Sequence, residues 1–173
     1  MIHTIQSIKP ICQELKSQSK KLVLATGFFD LLHEEHVNFL QKAKAAGDIL
    51  VVAVESDVRA RKIKGEGRPK ENQSIRCQKL LNLQFPGKLE NWKTGVLNIV
   101  DYVIALPDDF DHYEAFDSLM SAVRPSIYAI SSHTAHQDKK SALTEKYGGK
   151  LLVVHDWNPS TSTTQIINSQ NHV

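Results

Sequence analysis

His33 and His36 stand three residues apart, after an apolar run and a sharp turn: Leu22-Val23-Leu24-Ala25, Thr26-Gly27, Phe28-Phe29-Asp30-Leu31-Leu32, then His33-Glu34-Glu35-His36. Near a helix start that spacing puts both imidazoles on one side. There the unpaired backbone N–H groups and the positive end of the helix dipole favour an anion such as phosphate. Two imidazoles aimed at a phosphate can donate to its oxygens as charge builds on them. Asp30 suits the start of such a helix, because its carboxylate can accept from a free backbone N–H one or two residues on. A rival reading is transition-metal ligation. His133 and His136 repeat the spacing, His155 ends a later apolar run, and with Asp30 they make a donor set along one sheet edge. The zinc-protease spacing HExxH is absent, and a phosphate site explains the first pair with no further assumption, so no residue is assigned to a metal.

These side chains need a scaffold. Residues 22–25 have the length and branching of a buried strand, and Val37, Leu40 and Ala43 recur at helical spacing, so the piece reads as strand, turn, helix. Further apolar runs cover 49–54, 102–106, 127–130 and 151–154, with helical patterns around 58–63, 75–83, 113–123 and 139–147. Five buried strands alternating with helices predict an α/β fold, a Rossmann-like doubly wound sheet of five parallel strands with helices on both faces. In residues 1–19, Ile5, Ile8, Ile11 and Leu15 predict a short amphipathic helix, kinked by Pro10, that packs on the domain. Residues 84–98, with Pro86-Gly87, Trp92 and Gly95, read as an inserted surface excursion, and 168–173 as a frayed tail.

At 173 residues, with 41% hydrophobic and 23% charged residues, the chain is sized for one domain, 1–173. A net charge of +2 with scattered Lys and Arg gives no reason to expect nucleic acid. Cys12 and Cys77 lack CxxC spacing, and no stretch approaches the length of a membrane span, so a soluble, cytoplasmic protein is expected. No GxGxxG follows the first strand and no P-loop signature occurs.

The stretch Gly27 to His36, followed by Phe39-Leu40, Ala43-Lys44 and Gly47-Asp48, resembles the nucleotidylyltransferases with a His-x-Gly-His motif, specifically the cytidylyltransferase-like group. That group includes glycerol-3-phosphate cytidylyltransferase and the adenylyltransferase domain of ADP-heptose synthesis. Glu55-Ser56-Asp57, Arg59, Lys62-Ile63-Lys64-Gly65-Glu66-Gly67-Arg68-Pro69 and Arg76 form a second match, and Ser162-Thr163-Thr164-Gln165-Ile166-Ile167 a third. The resemblance implies transfer of CMP or AMP from CTP or ATP to a small phosphorylated acceptor, with Mg²⁺ on the phosphates and a homodimeric enzyme. It implies catalytic roles for His33, His36 and Lys64. It also implies nucleotide binding by Thr26, Gly27, Phe28, Phe29, Arg76, Ser162, Thr163 and Thr164, and an acceptor or base pocket near Asp30, Ser132 and His133. The Ser162 stretch is also a plain helix cap, and Lys64 and Arg68 read alone are solvated loop charges.

Three departures accompany the match. Glu35 replaces the motif glycine, and a like charge about 4 Å from a phosphate costs roughly 4 kcal/mol at a near-surface dielectric, so it must turn away or meet Mg²⁺ or Lys64. Ile130-Ser131-Ser132-His133-Thr134 replaces the Lys-Gly-x-Asp or Gly-Asp-Asp of relatives, and Trp157-Asn158-Pro159 stands where some carry a basic residue. These leave two alternatives open, a non-catalytic nucleotide sensor and a histidine-rich metal-dependent hydrolase.

Overall fold

In the computed structural model, which describes residues 1–85 and 98–156, the apolar runs become strands and the amphipathic stretches become helices. In chain order these are β1 (Ile2–His3), α1 (Ile5–Ser17), β2 (Leu22–Gly27), α2 (Glu34–Ala45), β3 (Ile49–Val54), α3 (Asp57–Lys64), α4 (Gln73–Leu81), β4 (Tyr102–Ala105), α5 (Tyr113–Val123), β5 (Ile127–Ser131), α6 (Gln137–Lys146) and β6 (Lys150–His155). The strands form one sheet in the order β1-β4-β3-β2-β5-β6, and every pairing within it is parallel. The five expected strands are present. A sixth, β1, adds two residues beside β4, Ile2 opposite Val103 and His3 opposite Ile104. Two residues carry no readable period, so only the pairing defines them.

Alternation along the strands divides the core. Leu22 and Leu24 with Val51, Ala53, Tyr128 and Ile130 face α1 and α5. Val23 and Ala25 with Leu50, Val52 and Val54 face α2 and α4 through Phe39, Leu40, Ala43, Cys77 and Leu80. Burial on both faces is why these strands read as unbroken apolar runs. The chain reverses its winding at β2, with β3 and β4 on one side and β5 and β6 on the other. The crevice above β2 and β5 at their C-terminal ends is where open α/β sheets bind ligands.

The N-terminal helix forms as expected, opened by a reciprocal cap. Thr4 N–H donates to Ser7 Oγ at 2.9 Å and Ser7 N–H to Thr4 Oγ1 at 3.2 Å. It runs through Pro10 as a single element and buries Ile5, Ile8 and Cys12 against the sheet. The base of the expected excursion is closed by an antiparallel bridge between Gln84 and Asn98. Residues 86–97 and the tail at 168–173 lie outside the described residues. Among the described residues no helix is long and apolar enough to cross a membrane.

Candidate active site

β2 delivers the chain to the crevice and a strained loop turns it into α2. A Cβ on Gly27 would lie 3.0 Å from the Phe29 ring, so that ring's position depends on the missing side chain. Phe29 and Leu31 adopt positive φ values of 50° and 54°, uncommon for such residues. Two buried charged residues hold the turn. Arg76, with no exposed surface, donates from Nη1 to the Phe28 carbonyl, from Nη2 to the Glu55 carbonyl at 2.9 Å and to Asp57 Oδ1 at 2.7 Å, and from Nε to the Glu71 carbonyl at 2.9 Å. The guanidinium thus ties the Phe28 backbone to the ends of β3 and α3. Asp30, 1% exposed, accepts from Arg68 Nε at 2.6 Å and from the backbone N–H groups of Lys70 and Glu71 at 2.9 and 3.2 Å.

That corrects the expectation that Asp30 opens the helix. His33 is the N-cap, extended at φ −134° and ψ 174°, with no side-chain cap bond, and α2 begins at Glu34. A carboxylate this buried needs charged and directed donors, which the Arg68–Glu71 loop supplies better than a single helical N–H. Arg68 departs equally from a solvated loop charge, being 9% exposed.

His33 and His36 come together as their spacing requires. Their ring centroids are 3.9 Å apart and their planes 32° apart, and the His36 ring meets Phe29 edge-on at 5.5 Å. Both Nδ1 atoms are buried without a hydrogen-bond partner among the described residues. Burial, then the neighbouring His33 and Lys64, brings the His36 pKa down to about 3. Burial also lowers His33, with Lys64 adding to it and Glu35 opposing. Both rings are therefore neutral at pH 7, each with one N–H to donate. Lys64 ends α3 with Nζ 4.9 Å from the Phe28 ring centroid. Its stem is open to solvent, but protein crowding around the ammonium, then the Arg68 charge, lowers its pKa. Lys64 and a helix N-terminus beside neutral imidazoles make a site for an anion.

Glu35 bonds away from the His33–His36 pair. Its Oε2 accepts from His155 Nε2 at 2.8 Å, so its charge points toward the end of β6. Ser132 and His133 lie on the exposed loop after β5. The His133 Nδ1 is 2.9 Å from Ser131 Oγ, and Ser132 is bonded through its backbone to the His155 carbonyl at 3.0 Å and to Gln137 at 3.0 Å. Burial, then Lys64 and His155, lowers the His133 pKa, so this loop rims the same crevice. Among the described residues no three His, Cys, Asp or Glu group to hold a metal ion. Ser162, Thr163 and Thr164, like Trp157-Asn158-Pro159, lie outside the described residues.

On the opposite face of β2, Thr26 Oγ1 is 2.7 Å from the Tyr128 hydroxyl, and burial pushes that phenol up to about 12. Beside it Glu55, 6% exposed, pairs with Arg59 Nε at 3.0 Å. Burial raises Glu55 to about 6 against the pull of Arg59 and Lys140. The buried cluster of Tyr128 and Glu55, with Lys140 acting on it, was missed in the sequence. The available signal was alternation carried one residue past β3, since Glu55 lies two positions after Ala53 and its N–H still bonds the Gly27 carbonyl.

A family model described as cytidylyltransferase-like matches residues 24–169. The Bifunctional protein HldE of Desulfatibacillum aliphaticivorans is 32% identical over 168 residues, 96% of this chain and 30% of that protein. HldE of Wolinella succinogenes is 37% identical over 121 residues, 70% of this chain and 22% of that protein. The chain thus spans less than a third of the length of these curated relatives. The solved lipopolysaccharide core biosynthesis protein from Thermoplasma volcanium is similar with a TM-score of 0.57 at 25% identity, covering 79% of this chain and 95% of that one. With paired histidines at the crevice of a parallel sheet and a family match over most of its length, the chain belongs to the cytidylyltransferase-like family of nucleotidyltransferases.

Proposed function

We propose that this chain moves a nucleoside monophosphate from a nucleoside triphosphate to a small phosphorylated acceptor and releases pyrophosphate. Of CTP and ATP, ATP is favoured by the HldE relatives, given the resemblance to the adenylyltransferase domain of ADP-heptose synthesis. The observation that carries the reading is the pair of neutral, closely packed imidazoles beside the start of α2, with Lys64 near them.

The acceptor phosphate oxygen is already ionised, so it attacks the α-phosphorus without a general base, and positioning does most of the catalysis. His33 and His36 each donate one N–H to the α-phosphoryl oxygens as they gain charge. Lys64, at the mobile end of a long side chain, takes the leaving pyrophosphate, with Ser162, Thr163 and Thr164 as further phosphate ligands by family resemblance. The backbone of Thr26, Gly27, Phe28 and Phe29 forms the floor, which Arg76 stiffens through the Phe28 carbonyl. Ser132 and His133 rim the base or acceptor pocket.

Mg²⁺ suits this site as a cation carried by the nucleotide. The carboxylates flanking the histidine pair in sequence, Asp30 and Glu35, are engaged by Arg68 and His155, so neither would hold the ion. When bound, such an ion would offset negative charge on the triphosphate. The reading further takes 1–173 as one catalytic domain, cytoplasmic because its substrates are, and homodimeric like relatives, which light scattering tests.

The experiment is pyrophosphate release from ATP and CTP with Mg²⁺ and a panel of small phosphomonoesters. Loss of one such donor costs on the order of 3 kcal/mol in barrier. His36→Ala is expected to fold and turn over at least about tenfold more slowly. Unimpaired turnover in that variant would remove the histidine pair from the mechanism.

A further inference from the structure

Glu35, the residue standing in place of the motif glycine, belongs to a contact that the reaction scheme leaves unused. Its Oε2 accepts from His155 Nε2 at 2.8 Å, and Lys42 donates from Nζ to His155 Nδ1 at 3.2 Å. Glu35 and Lys42 are seven residues apart on α2, two turns along one helix face. One helix therefore holds one imidazole at both ring nitrogens. An ammonium group can only donate, so Nδ1 is the acceptor and the ring proton sits on Nε2, toward Glu35. The side chains of His155 and Glu35 are 10% and 22% exposed, so the bond is largely shielded from water and truncating either partner strands the other.

The location gives the contact its consequence. His155 is the last residue of β6, an edge strand that among the described residues pairs with β5 alone, across a register shift at Ile130 and Ser131. The His155 carbonyl also accepts from Ser132 N–H at 3.0 Å, so the loop carrying His133 is tied to the same residue. At the other end, Glu35 and His36 are consecutive in the first turn of α2, so the turn that Glu35 anchors is the turn that aims His36. No side-chain cap bond steadies that helix start, since His33 as N-cap makes none.

We propose that Glu35 and His155 are positioning residues, a clasp that fixes the first turn of α2, and with it the His33–His36 pair, against the end of β6. The substitution that looks like damage to the phosphate site supplies the anchor that a missing cap does not. Its role in turnover rests on the nucleotidyl-transfer reading, and its structural part does not.

The test has two arms. In steady-state pyrophosphate release with ATP, Mg²⁺ and small phosphomonoesters, Glu35→Ala and His155→Ala should each lower kcat about tenfold with KM for ATP little changed. The double variant should be no slower than either single, since both remove one contact. Glu35→Gln should stay near wild type, because its amide oxygen can accept from Nε2–H, whereas Glu35→Gly, which restores the motif glycine, should behave like Glu35→Ala. Wild-type kcat in Glu35→Gly, or losses that multiply in the double variant, would overturn the clasp. The second arm needs no turnover. Nitrogen-15 NMR of the imidazoles should find His155 protonated at Nε2, and Glu35→Ala should shift the His36 ring signals while Glu35→Gln, which keeps the acceptor, leaves them in place. An unshifted His36 ring in a folded Glu35→Ala protein would also overturn it. If wild type releases no pyrophosphate with any pairing, the transfer reading fails, and the ring signals still decide the clasp.

Discussion

The charged residues of the crevice divide into those that meet an anion and those that hold the residues meeting it. Asp30 and Arg68 belong to the second group, at 1% and 9% exposure. Removing one member of a buried pair leaves the other uncompensated. Asp30→Ala is therefore expected to cost about 3 kcal/mol in urea unfolding, and Asp30→Asn less, because it retains an acceptor for the Lys70 and Glu71 N–H groups. Both residue types were visible in the chain, but their pairing spans 38 positions and no local rule connects them. His36 supplies a pH prediction. Its folded pKa, about 3, lies below its ordinary 6.5, so between those values the unfolded chain binds more protons. Its contribution to stability is complete above pH 6.5 and is lost as pH falls toward 3. In His36→Gln the loss of unfolding free energy between neutral pH and pH 4.5 should be smaller by about 2 kcal/mol. Equal slopes in the two proteins would mean that the ring is not desolvated.

At the scale of elements, periodicity located the parts and packing set their ends. β3 and α5 have the bounds their patterns suggest, 49–54 and 113–123. The α2 start moved to Glu34 because Asp30 was drawn into the Arg68–Glu71 loop. The turn between α6 and β6 shows how closely elements approach. A Cβ on Gly149 would lie 2.1 Å from the Pro125 carbonyl oxygen and 3.1 Å from Thr144 Cγ2, far inside contact distance of backbone. Gly149→Ala should destabilise by about 2 kcal/mol, read as a lower melting temperature, because β6 or the β5 approach must shift. The same shift would move His155, so Gly149→Ala should also reduce turnover. A melting temperature equal to wild type would show that the turn yields at no cost.

For the molecule as a whole, a ligand that binds only the folded state adds stability by mass action, about 2.7 kcal/mol at a hundred times its dissociation constant. A thermal-shift screen of nucleoside triphosphates with Mg²⁺ should therefore raise the melting temperature with ATP or CTP and fail to do so in a His33→Ala, His36→Ala double variant. No shift with any triphosphate in wild type would remove the nucleotide site. Read alone, the chain specified five strands, their helices and a histidine pair at a helix start, because hydrophobic burial and side-chain spacing leave periodic marks in nearby residues. It left undetermined which distant polar side chains meet. Glu35 finds His155 across 120 positions and Thr26 finds Tyr128 across 102. Such pairs exist only once a parallel sheet brings the ends of distant strands to one edge, and their choice depends on burial that no single segment records.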